Sequence, residues 1–241
     1  MSTEEHLKVV FADGYDSGDI LRRWPDRLRR HDEKLIGGSY RRFFKVAVEP
    51  RLHDSSVVME LGPGRGSWTR AILSRVRHGQ VHVLDYLDVT KWLQPWRFGD
   101  RLVCHRVDNN SFSCLPDASF DFFFSFGVLC HHTSTAIAEI MRNALPKMQP
   151  GGVAMHQYAD WQKLDRLGWD DRFGTAASSR DLPDDHEGNM WPRNDPHAMS
   201  AICRQAGWHV VRPDVGFFKR DSVVELVAPP VERALTHHLG S

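Results

Sequence analysis

Long hydrophobic runs are absent: no segment approaches the ~20 apolar residues that a membrane span requires. A bias of charge is absent too, because 31 lysines and arginines meet 31 aspartates and glutamates for a formal net charge of zero. That balance argues against a chain that grips nucleic acid chiefly through a bulk basic field. Cysteine is scarce. Cys104, Cys114, Cys130 and Cys203 include no CxxC pair and no zinc-ligand spacing, so they read as reduced thiols, and a catalytic Cys130 carries little weight. The segment STEEHLK after Met1 has no basic region leading into an apolar stretch, as a secretory signal would. Internal repeats and low-complexity tracts are missing as well. The expectation is a soluble cytoplasmic protein. Its 241 residues suffice for one α/β domain with room for a lid.

What is present is concentrated in residues 57 to 73, VVMELGPGRGSWTRAIL. Val57, Val58 and Met59 form an apolar run suited to a buried parallel strand, and Glu60 stands near its end. Gly62, Gly64 and Gly66 follow at alternate positions, and Trp68, Ala71, Ile72 and Leu73 then take helical spacing. Glycines between a strand and a helix let the backbone turn sharply and let a ligand lie against it. A dinucleotide fingerprint would place a glycine three residues after Gly64, where Ser67 stands. A P-loop would need a lysine in the turn, and none is there.

The pattern acidic-x-Gly-x-Gly-x-Gly after a first strand resembles motif I of class I S-adenosylmethionine (SAM)-dependent methyltransferases. The stretch SFSCLPDASFDFFFSFGVLCHH resembles that family's passage through its fourth strand. Together the resemblance covers residues 40 to 228. It implies a Rossmann-like, seven-stranded, mostly parallel sheet with a terminal antiparallel hairpin. It also implies SAM as cofactor, a helical N-terminal extension over the active site (residues 1–50), and a methyltransferase domain (51–228). Within that domain an insertion after the fifth strand (160–196) helps build the acceptor pocket; a tail, 229–241, ends the chain.

In chain order, residues 1 to 18 are polar and read as a loose or ligand-ordered start. Asp19 to Lys34 is helical-looking and arginine-rich, with Pro25 marking a first turn; Arg22, Arg23, Arg27, Arg29 and Arg30 read as a solvated face or an anion patch. Ser39 looks like the N-cap of a helix reaching about Val48. The second strand ends at Asp85, one helix and one strand beyond the glycine turn, where a carboxylate can accept both ribose hydroxyls. Tyr86 beside it can stack on adenine or simply pack. By the resemblance Asp108 accepts from the adenine amino group with Asn109 alongside, and Ser125 and Phe126 border the methionine end. A helix over 134–148 precedes Pro150-Gly151-Gly152, which breaks the chain before the strand VAMHQY. A helix over 197–206 ends at Gly207, and strands at His209–Arg212 and Val223–Val227 complete the sheet.

Methyl transfer needs a bound cofactor, an aligned acceptor and, for a hydroxyl, a proton acceptor. Alignment can supply ~7–11 kcal/mol of barrier lowering, and a positioned base a further factor of ~10²–10⁴. Histidine suits the base role because its ordinary pKa of ~6.5 leaves it largely neutral at pH 7. His131 and His132, just past the fourth strand, are the first candidates, and His156 in the fifth strand is the third. Each also has a plain packing role open to it.

SFGVLCHH with HQY resembles enzymes that O-methylate sugars of polysaccharides and glycosylated natural products. The insertion, with Trp161, Trp169 and Trp191, offers flat apolar rings beside polar groups, as a sugar site does. Tyr158, Trp191 and Arg193 are the expected acceptor contacts. Asp160 with Asp184 and Asp185 could hold magnesium, but polar loops contain such residues anyway, and no metal is expected. An RNA or other small-molecule acceptor and a non-catalytic SAM-binding scaffold are the alternatives, although no NPPY-type motif ends the fourth strand. A homodimer is left open as well.

Overall fold

The computed structural model describes residues 8–170, 180–186 and 189–230. Seven strands run along the chain: β1 (Val57–Leu61), β2 (Gln80–Asp85), β3 (Leu102–Arg106), β4 (Phe120–Ser125), β5 (Met148–Ala159), β6 (His209–Arg212) and β7 (Asp221–Val227). They form one sheet in the order β3-β2-β1-β4-β5-β7-β6. β1 to β5 pair in parallel, and β7 is antiparallel to both β5 and β6. This is the mostly parallel Rossmann-like sheet with an antiparallel terminal pair. The helices are α1 (Arg27–Ile36), α2 (Tyr40–Phe43), α3 (Ser67–Leu73), α4 (Thr90–Leu93), α5 (Ser134–Ala144), α6 (Trp161–Leu167) and α7 (Pro196–Gln205). None of the described helices is long and apolar enough to cross a membrane.

Strand alternation divides the core between the two faces of the sheet. Val58, Phe122, Phe124 and Met155 meet Ile36, Phe43, Phe44 and Trp68 on one face. Met59, Phe123 and Ala154 meet Ile137, Ile140, Met199 and Cys203 on the other. The N-terminal helices therefore share a core with the sheet. Between β1 and β4 the strand order reverses, and the carboxyl ends there open a crevice, the usual ligand position in such sheets.

Three local expectations change. The stretch from Asp19 to Lys34 is not one helix: α1 begins after Asp26, whose carboxylate accepts the N–H groups of Arg29 and Asp19, so Pro25 lies outside the helix. Arg29 is not on a solvated face either; it is 1% exposed, and its guanidinium donates to the carbonyls of Asp19, Ile20 and Arg22. Pro150-Gly151-Gly152 does not interrupt the strand. β5 runs through it from Met148, with a register shift against β4 between Phe120 and Phe122. Ser39 does cap a helix by accepting the Arg42 N–H, and the helix continues as a π-helical turn over Phe44–Val48. The 160–196 segment opens with helix α6, capped by Asp160. The expected tail lies outside the described residues from 231 onward.

Candidate active site

The turn after β1 is built from three glycines in the left-handed region, with φ of 66° at Gly62, 54° at Gly64 and 84° at Gly66. A side chain at Gly64 would place its Cβ 2.5 Å from the Tyr15 carbonyl oxygen, so this position needs glycine for space as well as torsion. That carbonyl accepts the Arg65 N–H at 2.8 Å, and Ser67 Oγ accepts the Ser17 N–H at 3.1 Å. The segment 13–17 is thereby pinned across the turn. Glu60 lies buried under it, 3% exposed, with Oε2 unpartnered. Burial pushes its carboxyl up to about 8.

Over the turn lies an open cleft. Leu61, Leu84, Leu87, Val107 and Val128 give it an apolar slot, and Asp85 and Tyr86 stand at one side. Asp85 Oδ1 accepts the Leu87 N–H at 2.9 Å, which holds the carboxylate in place. The Tyr86 hydroxyl donates to Asn110 at 2.9 Å, and the Lys8 ammonium sits 4.7 Å from the centre of the Tyr86 ring. His132 also lines this cleft, its Nδ1 2.9 Å from the Val128 carbonyl.

A second cavity adjoins the first. Phe11, Tyr40, Phe126 and Trp191 supply aromatic walls; Gln157 and Arg220 supply polar ones. Phe11, Tyr15, Gly127 and His131 belong to both cavities and mark where they meet. His131 Nδ1 is 2.7 Å from the Met190 carbonyl, and a carbonyl can only accept. The proton therefore sits on Nδ1, and Nε2 keeps its lone pair. Burial lowers the imidazole to about 4, so it is neutral at ordinary pH.

Arg220 forms a two-pronged pair with Asp221, at 2.9 and 2.8 Å, and its guanidinium lies 4.5 Å from the Trp191 ring centre. Gln157 donates to the same Asp221 and accepts the Gly127 N–H at 2.8 Å. The backbone at the end of β4 is thus tied to β7. Cys130 also lines this cavity, but burial pushes its thiol up to about 12, which removes the thiolate a nucleophile needs.

Of the residues expected at the cofactor, Gly62, Gly64, Asp85 and Tyr86 line the cleft. Gly66 starts α3, Glu60 lies beneath the turn, and Phe126 faces the second cavity. Asp108 and Asn109 bond to each other at 2.8 Å in an exposed turn and do not line the cleft; Val107 before them does. Ser125 is fully buried, 2.8 Å from His156 Nδ1. His156 packs 4.3 Å from the Phe123 ring on the α5 face, away from both cavities, because strand alternation turns it there.

Tyr158 is likewise a core residue, its hydroxyl donating to the Pro213 carbonyl at 2.8 Å. Arg193 stacks 4.6 Å from the Trp161 ring centre instead of entering the cavity, and Trp191 alone of the three expected acceptor contacts lines it. Asp160 is engaged as a cap and by the Ser222 hydroxyl, and Asp184 accepts the Arg193 N–H. Sequence reasoning missed Phe11, Tyr15, Gln157 and Arg220. No spacing or motif links them.

Comparison with known proteins agrees with this arrangement. The family model described as a methyltransferase domain matches residues 28–212. A malonyl-[acyl-carrier protein] O-methyltransferase of Halorhodospira halophila is 28% identical over 148 residues, 56% of this chain; the chain spans about half of that protein, 48%. In fold, the chain is similar to a SAM-dependent methyltransferase from Aquifex aeolicus, with a TM-score of 0.60 and 17% identity over 84% of this chain and 94% of that one. It is also similar to the 1,6-didemethyltoxoflavin-N1-methyltransferase of Burkholderia thailandensis, crystallised with S-adenosylhomocysteine, with a TM-score of 0.53 and 18% identity over 78% and 82% of the two chains. The residues here fit a nucleoside cofactor: a glycine cradle that a Cβ would fill, an apolar slot, and a fixed carboxylate beside it. The chain belongs to the methyltransferase-domain family, with a class I, Rossmann-like fold and S-adenosylmethionine as its cofactor.

Proposed function

We infer that the protein methylates a hydroxyl of a small molecule, a sugar of a glycan or glycosylated natural product, held in the second cavity. When bound, the cofactor supplies an electrophilic methyl carbon. The chain's own residues then have three tasks: to hold the nucleoside, to align the acceptor and to take its proton. Gly62, Gly64 and Asp85 serve the first. The aromatic walls with Gln157 serve the second, since flat rings cover the apolar face of a sugar while the amide fixes its orientation.

His131 serves the third, and its position is the observation that carries the reading. It stands where the cavities meet, with its tautomer set by Met190 and its lone pair on Nε2. As the acceptor oxygen takes the methyl group, its proton passes to that nitrogen.

A carboxylate acceptor is the second reading, favoured by the Arg220 guanidinium in the cavity wall. The Halorhodospira relative, named for a malonyl-[acyl-carrier protein] acceptor, points the same way. Purified protein, SAM and a panel of sugars, phenols and carboxylates, with S-adenosylhomocysteine release as readout, separates the two. Turnover of hydroxyl acceptors that is lost in His131→Ala supports the first reading. Turnover of carboxylates alone, insensitive to that change, replaces it with the second.

A further inference from the structure

Tyr15 runs from one cavity to the other. Its backbone carbonyl lies against the glycine turn, and its ring extends to α1, where the hydroxyl donates to Asp32 Oδ1 at 2.8 Å. The second cavity reaches α1 at Leu35, whereas no α1 residue lines the first, so the hydroxyl end, bonded to Asp32 on α1, belongs to the second cavity. Asp32 is 5% exposed, and its Oδ2 is buried without a hydrogen-bond partner. A carboxylate so stripped of water holds tightly to the proton it is offered. A phenol has one proton, and here it is committed. What Tyr15 can still offer a ligand is lone pairs.

We propose that Tyr15, locked by Asp32 as a hydrogen-bond acceptor, makes the second cavity select acceptors that present an O–H or N–H donor and disfavour carboxylates, ethers and carbonyls at this point. The inference rests on reading that cavity as the acceptor site, and it favours the hydroxyl reading over the carboxylate one. An anionic or donor-free group placed against Tyr15 would face lone pairs, and turning the phenol proton toward it would leave Asp32 with neither oxygen bonded by that hydroxyl. Desolvation and the neighbouring Asp32 charge also hold the Tyr15 phenol above its usual range, so the phenol keeps its proton. Tyr15 is a specificity-determining residue in this account and Asp32 its positioning residue.

Ligand-observed NMR on the protein saturated with S-adenosylhomocysteine tests this without knowledge of the natural acceptor. The probes are methyl glycosides and catechols on one side, and matched carboxylates, ethers and ketones lacking donors on the other. Tyr15→Phe keeps the ring and should weaken the donor-bearing fragments by roughly 3- to 10-fold, the worth of a hydrogen bond, while leaving the others unchanged. Asp32→Leu frees the phenol proton, and donor-free fragments should then gain affinity. Loss of carboxylates in Tyr15→Phe, or fragments that depend on Trp191 (by Trp191→Ala) but not on Tyr15, overturns the inference alone. Fragments indifferent to both Trp191 and Tyr15 overturn the acceptor-site reading with it.

Discussion

His131 and Glu60 show how burial sets the chemistry of single residues. The imidazole, lowered to about 4, is unprotonated throughout the neutral range. If it takes the acceptor's proton, kcat should be level from about pH 7 down to about pH 5 and fall only as pH approaches 4. An acid limb centred between pH 6 and 7 would assign the proton to another group. His131→Ala should lower kcat by ~10²-fold or more, with S-adenosylhomocysteine affinity by calorimetry changing far less.

Glu60 runs the other way, its carboxyl raised to about 8 from an ordinary 4.5. Between those values the folded chain holds a proton that the unfolded chain has released. The Glu60 contribution to stability is therefore fully present below pH 4.5 and is lost as pH rises toward 8. Glu60→Gln, which stays neutral, should raise the melting temperature more at pH 8 than at pH 5. Equal shifts at both pH values would show that the carboxyl is not held protonated.

Two elements position the site, and each can be broken by one substitution. In the β1–α3 turn, Gly64→Ala meets a left-handed penalty of ~1–2 kcal/mol and a collision with the Tyr15 carbonyl. Affinity for S-adenosylhomocysteine should fall by about tenfold or more; unchanged affinity would mean that the turn does not carry the cofactor. In β7, Asp221 is fully buried and pairs with Arg220, while Gln157 bonds to it from β5. Asp221→Leu removes the two-pronged carboxylate from the guanidinium; breaking a buried pair costs ~3–5 kcal/mol, to be read from urea unfolding. The turn and the strands were legible because their signals are local: glycine spacing, an acidic strand end, and the apolar run in FDFFFS. Pro25 and Pro150 misled for the same reason. A proline constrains its neighbours but does not say whether a helix starts after a separate cap, or whether a strand tolerates a shifted register.

At the scale of the whole molecule, the N-terminal segment and the glycine turn close the site together. Arg65 Nε donates to the Asp13 carbonyl, the Arg65 and Ser17 amides cross between the two segments, and Phe11 packs 5.3 Å from the His131 ring. A nucleoside in the cleft would contact both. Hydrogen exchange should therefore show the amides of Arg65 and Ser17 slowing together when S-adenosylhomocysteine is added, because local opening of one releases the other. Slowing of the glycine turn alone would separate the segment from cofactor binding.

Resemblance to the methyltransferase family implied the topology of the sheet; by itself the sequence marked the strands, the glycine turn and the acidic end of the second strand. Those depend on periodicity and turn chemistry acting over a few residues, and Gly62, Gly64 and Asp85 stand where such rules put them. The second cavity was assembled by tertiary structure, although Trp191 was already expected in an acceptor pocket. Tyr15, Asp32, Gln157, Trp191 and Arg220 come from a leading segment, a helix, two strand regions and an insertion, and they meet because the two core faces bring those elements together. His156 and Tyr158 were placed by the same packing, which turned them into the core and left the junction to His131.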